Sequence, residues 1–431
     1  MILSDLKLEE YYRQEVNTTW KERFFVREIR NYIKSELKKV LLIGGLKGTG
    51  KTVGILQSIP LDDTLFIFPD SKNAIAAEGV KCLLQNNTKS VIVVDSFSWV
   101  DGYSELASVL HGFVQQGKRV IISGAESVSL EYLKYDKLIH RVKIIHTTYI
   151  SFDEFCEVFD REQNYDSCIE YLKTGGLFKS CVVDSFYSLK EYVNEAMVNN
   201  VSSYVHELTP ELIEVIIYSI LYFSVCNSIS DKVSISHYRR KSQEEFLEGI
   251  GLDPAMVIRQ QDFNEVLEIM STSGIMVKVE NLRMRGKYNR VCIVNPSIAY
   301  QLVKFIYDLQ EIPTVVFHWL YESSCVCWLS TLVDDNLKFG YLEGRNLEEI
   351  FALYDRKSAY LFQCALGENI QLTEEASLVG SIIGRILVDK EVLGRFVVYN
   401  GTEKIEVLGD KEIIYTSNYA KLAILNTTLF A

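Results

Sequence analysis

The sequence is short of the residues that punctuate a chain. Its 431 residues include only six prolines, and no stretch is rich in Gly, Ser or Pro. Linkers therefore leave no compositional mark, although this length calls for two or three domains rather than one core. Nine cysteines are scattered without a disulfide-like frame. Cys325-Val326-Cys327 is the single close pair and has no second pair at zinc spacing. The six histidines show no metal spacing, and His318, among Val315, Val316, Phe317 and Trp319, reads as a core residue. No apolar run reaches the roughly 20 residues that span a bilayer. The best candidate, 215–226, reads as a buried helix. Met1 to Glu10 has no basic head, apolar core or small-residue cleavage site. Reduced thiols, a cytoplasmic location and no membrane partner are the expectations.

What is present suits well-packed domains: 48% of residues are apolar and 12% aromatic. The net charge of -12 argues against a nucleic-acid coat but leaves room for a local basic surface.

Residues 1–38 place Tyr11, Tyr12, Trp20, Phe24 and Phe25 among charges, which suits one or two amphipathic helices. Strand-like runs follow at 40–44, 64–68, 91–95, 119–123 and 143–149, separated by helix-length stretches such as 104–116. That alternation implies an α/β fold with a five-stranded parallel sheet covered on both faces. Ser151 is a helix N-cap candidate with Glu154 three places on. Helices at 210–224, 243–248 and 263–271, then strands at 275–280 and 288–294, have the layout of a winged helix. Farther on, 350–354 and 359–365 read as a hairpin around Asp355, and 373–386 as a helix. Strands at 396–399 and 413–415 follow, with Asn400-Gly401 as a turn. The expected divisions are 1–205, 206–300 and 301–431.

The chemistry is most readable in Gly45-Leu46-Lys47-Gly48-Thr49-Gly50-Lys51-Thr52, followed by Val53. Phosphate oxygens need close approach by backbone N–H groups, and Gly45, Gly48 and Gly50 supply the clearance. Lys51 is placed to reach the β- and γ-phosphates of ATP, and the Thr52 hydroxyl to ligate Mg²⁺. A chance match in a Gly-containing turn is the bland alternative. The position between a strand end and a helix start speaks against it.

Asp95 closes the run Val91-Ile92-Val93-Val94, where a carboxylate holds the metal's hydration shell. The residue after it is Ser96, where many ATPases of this architecture carry Glu to polarise water. Weak or no hydrolysis is expected, unless Glu105 or Glu126 substitutes. Ser123 stands where a polar strand end senses the γ-phosphate. Arg141 is a candidate for stabilising charge within the subunit or across to a neighbour, so an oligomer stays open.

These segments occur in a familiar order. Gly45 to Val53, Val91 to Ser96, Val120 to Gly124, and Leu138 to Arg141 followed by Ile150 to Phe155 resemble the prokaryotic AAA-type ATP-binding proteins. In that family the P-loop domain is followed by a winged helix and a C-terminal restriction-endonuclease-like domain of unknown function. Phe263 to Leu267 with Gly274 to Met276, and Ala352 to Asp355 with Leu361 to Cys364, extend the resemblance. It implies a P-loop NTPase with an α+β C-terminal domain. Three departures stand out. The family usually has Asp-Glu at Asp95-Ser96 and Gly-Arg at His140-Arg141. Its nuclease pattern needs Glu-x-Lys where Gln363-Cys364-Ala365 stands, so Asp355 lacks its metal-binding partners and no DNA cleavage is expected.

Two basic clusters fall in the winged-helix region: Arg239, Arg240 and Lys241, and Arg283, Arg285 and Lys287 with Arg290. Either they meet DNA phosphates or they form a solvated face. The expectation is an ATP- and Mg²⁺-dependent switch; the alternative is a DNA-binding regulator in which ATP is structural.

Overall fold

Two sheets organise the computed structural model. Residues 2–3, 5–16, 21–68, 75–85, 87–97, 100–101, 106–124, 141–147, 149–176, 185–202, 204–205, 207–229, 238–282, 290–333, 337–343, 349–367, 387, 389–401, 403–408 and 411–416 are described.

The first part of the chain supplies β1 (Ile2–Leu3), α1 (Asp5–Glu15), α2 (Phe24–Lys34), β2 (Val40–Gly44), α3 (Lys51–Leu56) and β3 (Thr64–Ile67). It continues with β4 (Ile75–Ala76), α4 (Ala77–Gln85), β5 (Val91–Val94), β6 (Val100–Asp101), α5 (Leu106–Gln115), β7 (Arg119–Gly124) and β8 (Val142–His146). Six strands lie in the order β1-β3-β5-β7-β2-β8, while β4 and β6 form a separate pair. All five strands read from the sequence are present and parallel. The sixth, β1, adds an antiparallel edge to β3, and two residues are too few to show a period.

Side-chain alternation explains why these strands are apolar throughout. Val40, Leu42, Ile92, Val94, Val120 and Ile122 face one core together with α4 and α5. Leu41, Ile43, Val91, Val93 and Ile121 face another, with α1, α2 and α3. Helices on both faces leave no side of the central strands wet.

Beyond the sheet come α6 (Phe152–Phe159), α7 (Tyr165–Thr174), α8 (Phe186–Val193), a π-helical turn Asn194–Val198 and α9 (Asn199–Ser202). Next are α10 (Pro210–Ile229), α11 (Gln243–Gly249) and α12 (Gln260–Thr272), then β9 (Met276–Asn281) and β10 (Arg290–Ile293). The three helices and the antiparallel hairpin occur in the expected order. The run 215–226 lies inside α10, and no helix among the described residues is long and apolar enough to cross a membrane.

The last elements are α13 (Pro296–Ile306), α14 (Thr314–Ser330), β11 (Lys338–Glu343), β12 (Glu349–Tyr354), β13 (Ser358–Cys364), β14 (Glu391–Val398), β15 (Lys404–Leu408) and β16 (Lys411–Thr416). Their eight-stranded sheet has the order β10-β9-β11-β12-β13-β14-β16-β15. Because β11 pairs in parallel with β9, the sheet runs on past residue 300. One large apolar cluster joins α6 to α14 with this sheet. The expected helix 373–386 lies outside the described residues.

Helix α2 rests on α3 at Gly54, where an added Cβ meets Phe25 Cε2 at 2.5 Å and Cζ at 2.6 Å. Gly54→Ala gains about 1 kcal/mol of helix propensity but costs about 1–3 kcal/mol through overpacking against a buried ring. Urea unfolding is expected to show a net loss of stability. A more stable variant would mean that Phe25 yields freely.

Candidate functional site

The loop between β2 and α3 sits at the C-terminal end of the parallel sheet, where strand ends and helix starts converge. Gly45, Gly48 and Gly50 take φ values of 154°, 85° and 79°. Side chains with a Cβ resist those values, so glycine lets the backbone curl and turn its N–H groups inward. Gly54 N donates to Gly50 O at 2.8 Å and starts the helix directly after the loop. A five-stranded parallel sheet covered by helices, with this loop between β2 and α3, is the P-loop NTPase fold.

Each loop residue has an assigned place. Thr49 is buried, and its hydroxyl donates to Leu46 O at 2.9 Å and lies 2.9 Å from the Thr147 hydroxyl. Thr147 Oγ1 donates to Gly44 O at 3.1 Å, so the segment after β8 braces the loop's first turn. Lys51 Nζ donates to Gly45 O at 2.7 Å and Leu46 O at 2.8 Å, which keeps its ammonium against the loop's inner rim. Val53 is half-buried on α3, packed against the core under the sheet. Lys47 pairs with Glu195.

Asp95 follows β5 and is 2% exposed. Its N–H donates to Ile67 O at 3.0 Å, which fixes it beside the end of β3. Its Oδ2 accepts from Thr52 Oγ1 at 2.6 Å. Its Oδ1 accepts from the Ser96 N–H at 3.0 Å and from Ser123 Oγ. Ser96 takes a left-handed φ of 57°, and its N–H turns back onto the carboxylate. The residues named from the sequence as metal partners thus meet in one cluster. A neighbouring hydroxyl and carboxylate are hard oxygen donors and fit a magnesium ion.

Arg141 does not join this cluster within the chain. It precedes β8, and the register Val40↔Val142 and Gly44↔His146 puts it at the N-terminal end of the sheet, opposite the loop. Glu105 and Glu126, the candidate substitutes for a glutamate at Ser96, lie outside the described residues, as do His140, Arg283, Arg285 and Lys287. Arg290, read with that wing cluster, is instead buried and paired with Glu322 at 2.8 Å, so it meets no phosphate. Of the other basic cluster, Arg239 pairs with Glu245 at 2.5 Å and the Lys241 ammonium lies 3.7 Å from the centre of the Phe305 ring. Asp355 Oδ1 accepts the N–H groups of Lys357 and Ser358, each at 2.6 Å. Those backbone donors, Ser358 foremost, hold its carboxyl below the usual range, and the residue serves the hairpin turn.

Sequence reasoning missed the residue that organises the loop. Arg23 is 5% exposed and donates five hydrogen bonds: two to the Glu154 carboxylate and one each to Thr49 O, Thr147 O and Tyr149 O. The guanidinium fork ties the start of α2, the phosphate loop, the end of β8 and the start of α6 at one point. Ser151 is the N-cap of α6, as expected, and accepts from Glu154 N. The Glu154 carboxylate, however, turns to Arg23 and to Phe24 N rather than back to its own helix. Beside it, burial pushes Asp153 up to about 6, against hydrogen bonds from Ser151 and the Glu154 N–H that pull it down. Tyr11 was also missed. Its ring lies 6.1 Å from that of Phe66 and 5.9 Å from that of Phe68. Burial, then the charge of Asp95, raises the phenol.

The Arg23 clamp can be separated from simple stability. Arg23→Met strands a buried Glu154 carboxylate and is expected to cost about 3–5 kcal/mol. Arg23→Met with Glu154→Met removes both charges and is expected to recover part of that loss in urea unfolding, the rest staying with the carbonyls and the Phe24 N–H that lose their partners. The Thr49 carbonyl stays unpaired in the double variant, so its nucleotide affinity, measured by calorimetry, is expected to stay about tenfold below wild type. Wild-type affinity in the double variant would show that the clamp does not shape the loop.

No family model and no curated protein matches the sequence. Solved structures give distant likenesses. The Walker-type ATPase PABY2304 of Pyrococcus abyssi is 14% identical over 67% of this chain and 99% of its own, with a TM-score of 0.35. The RuvB Holliday junction branch migration motor of Thermotoga maritima is 15% identical over 67% and 95%, with a TM-score of 0.30. The Hsp104–ADP complex of S. cerevisiae is 13% identical over 63% and 41%, with a TM-score of 0.30. Likeness at this level assigns neither family nor activity.

Proposed function

We propose that the chain is a nucleotide-dependent switch of the AAA type that binds Mg²⁺-ATP at Gly45–Thr52 and hydrolyses it slowly or not at all. The observation that carries this reading is the meeting of the glycine loop with the Thr52–Asp95 hydrogen bond at the end of the sheet. A glycine loop that allows close backbone approach, a lysine and a buried carboxylate suit a polyphosphate with a divalent ion.

The residues divide the work. Loop N–H groups of 45–52 cradle the phosphates, and Lys51 leaves the carbonyls of Gly45 and Leu46 to meet their charge. Thr52 and Asp95 hold the magnesium ion, which when bound neutralises phosphate charge and orients the phosphate chain. Ser123, already bonded to Asp95, reports on that carboxylate's position. Ser96 presents its N–H to Asp95 and brings no base, since a serine hydroxyl does not deprotonate near neutral pH unaided. The reading therefore has binding without efficient turnover. On this reading 1–205 is the nucleotide-binding unit, 206–300 the winged-helix unit, and 301–431 an α+β unit whose Asp355 keeps a turn rather than a metal.

Calorimetry with Mg²⁺-ATP is expected to show saturable binding, weakened at least about tenfold by Lys51→Ala through loss of a charged hydrogen bond. Equal affinity in the two proteins would refute the site. Turnover is expected to fall well below the roughly 10 per second typical of enzymes, and to rise in Ser96→Glu. Ordinary turnover in the unaltered protein would show that Ser96 does not limit hydrolysis.

A further inference from the structure

The phosphate loop is gripped from outside the sheet as well. Leu46 is 1% exposed and belongs to the large apolar cluster of the helical body, which also takes in Tyr192, Val193, Ala196, Met197 and Val198. The Tyr192 hydroxyl donates to the Lys47 carbonyl at 3.1 Å. The Lys47 ammonium forms an ion pair with Glu195. Lys47 is thus tied twice to neighbouring turns, through its carbonyl to Tyr192 on α8 and through its ammonium to Glu195 in the π-helical turn Asn194–Val198 that lies between α8 and α9. Single π turns of this kind recur at functional sites because the wider turn redirects side chains.

The ion pair is the weak member of the three contacts. The side chains of Lys47 and Glu195 are 54% and 58% exposed, so solvent screens their attraction. Leu46 and Tyr192, in contrast, are buried and hold the loop's backbone to the helical body. A polyphosphate entering the loop brings several negative charges beside Lys47. It competes with Glu195 for the ammonium and leaves that carboxylate facing like charge.

We propose that Glu195 is a specificity-determining residue of this site: its carboxylate holds Lys47 until a polyphosphate displaces it, and the displacement is felt along Phe186–Ser202. The inference rests on the nucleotide reading above. Glu195 taxes every anion that enters the loop, and the tax rises with phosphate charge, so it narrows the advantage of ATP over ADP. The same exchange releases Glu195 in the π turn while Tyr192 on α8 stays bonded to the Lys47 carbonyl, so loop occupancy reaches the helical body through one surface charge.

The test is calorimetry of Mg²⁺-ATP and Mg²⁺-ADP on the full chain and on Glu195→Gln, with hydrogen exchange of residues 186–202 followed with and without ATP. Half-exposed Glu195 is expected to tolerate the change. Glu195→Gln is expected to bind ATP about two- to fivefold more tightly, the range a screened surface pair allows, with a smaller gain for ADP. ATP is expected to alter exchange in 186–202 of the unaltered chain and to alter it much less in the variant. Unchanged or weaker ATP binding by Glu195→Gln, or the same exchange response in both proteins, would overturn the proposal. No ATP binding by the unaltered chain would instead sink the nucleotide reading, and this inference with it.

Discussion

Arg23 brings a full charge into the interior, where it must be matched by bonds or not be there at all. It is matched by Glu154 and by three carbonyls, one of them from Thr49 in the phosphate loop. A glycine-rich loop is otherwise the part of a chain with most freedom to lose on binding. The guanidinium removes some of that freedom beforehand. It fixes the Thr49 peptide, while Thr147 fixes Gly44 and the Thr49 hydroxyl. Ordering the loop in advance reduces the entropy lost when an anion settles into it.

Three supports with different stiffness then meet at the loop. The sheet side is rigid: parallel strands with cores on both faces, and a buried carboxylate satisfied by Thr52, Ser96 and Ser123. The Arg23 junction is stiff as well, because its bonds are short-reach and shielded from water. The helical side has a fixed part, Leu46 and Tyr192, and a soft part, Lys47 with Glu195. A change of charge in the loop finds little to move on the sheet side. It finds a weak, solvent-screened contact on the helical side. On the proposed reading, that asymmetry gives the direction in which nucleotide occupancy would be transmitted.

What could be read from the sequence follows from these physics. Central parallel strands are buried on both faces, so 40–44, 91–95 and 119–123 announced themselves as unbroken apolar runs. Glycines at positive φ announced the loop. The strand β11 was missed because Gly340 interrupts its pattern, at a point where Leu282 packs so closely that no Cβ fits. The strand β15 alternates as Lys404-Ile405-Glu406-Val407-Leu408, a period that went unread. Arg23 was illegible for a deeper reason. In Trp20-Lys21-Glu22-Arg23-Phe24 a buried arginine looks like its solvated neighbours, and its partner Glu154 lies 131 residues away. Glu154 itself sat at a capping-box position, a local role that concealed the long-range one. Arg141 was placed by its order in the chain, whereas strand direction decides which end of the sheet a residue occupies.

The central claim is that Thr52 and Asp95 hold a divalent ion against a polyphosphate in the glycine loop. The direct measurement is ATP affinity with Mg²⁺ and with a chelator, in the unaltered protein and in Asp95→Asn. The account predicts that Mg²⁺ strengthens binding about tenfold or more in the former, some 1.4 kcal/mol, and hardly at all in the variant. An equal gain from Mg²⁺ in both proteins would contradict it.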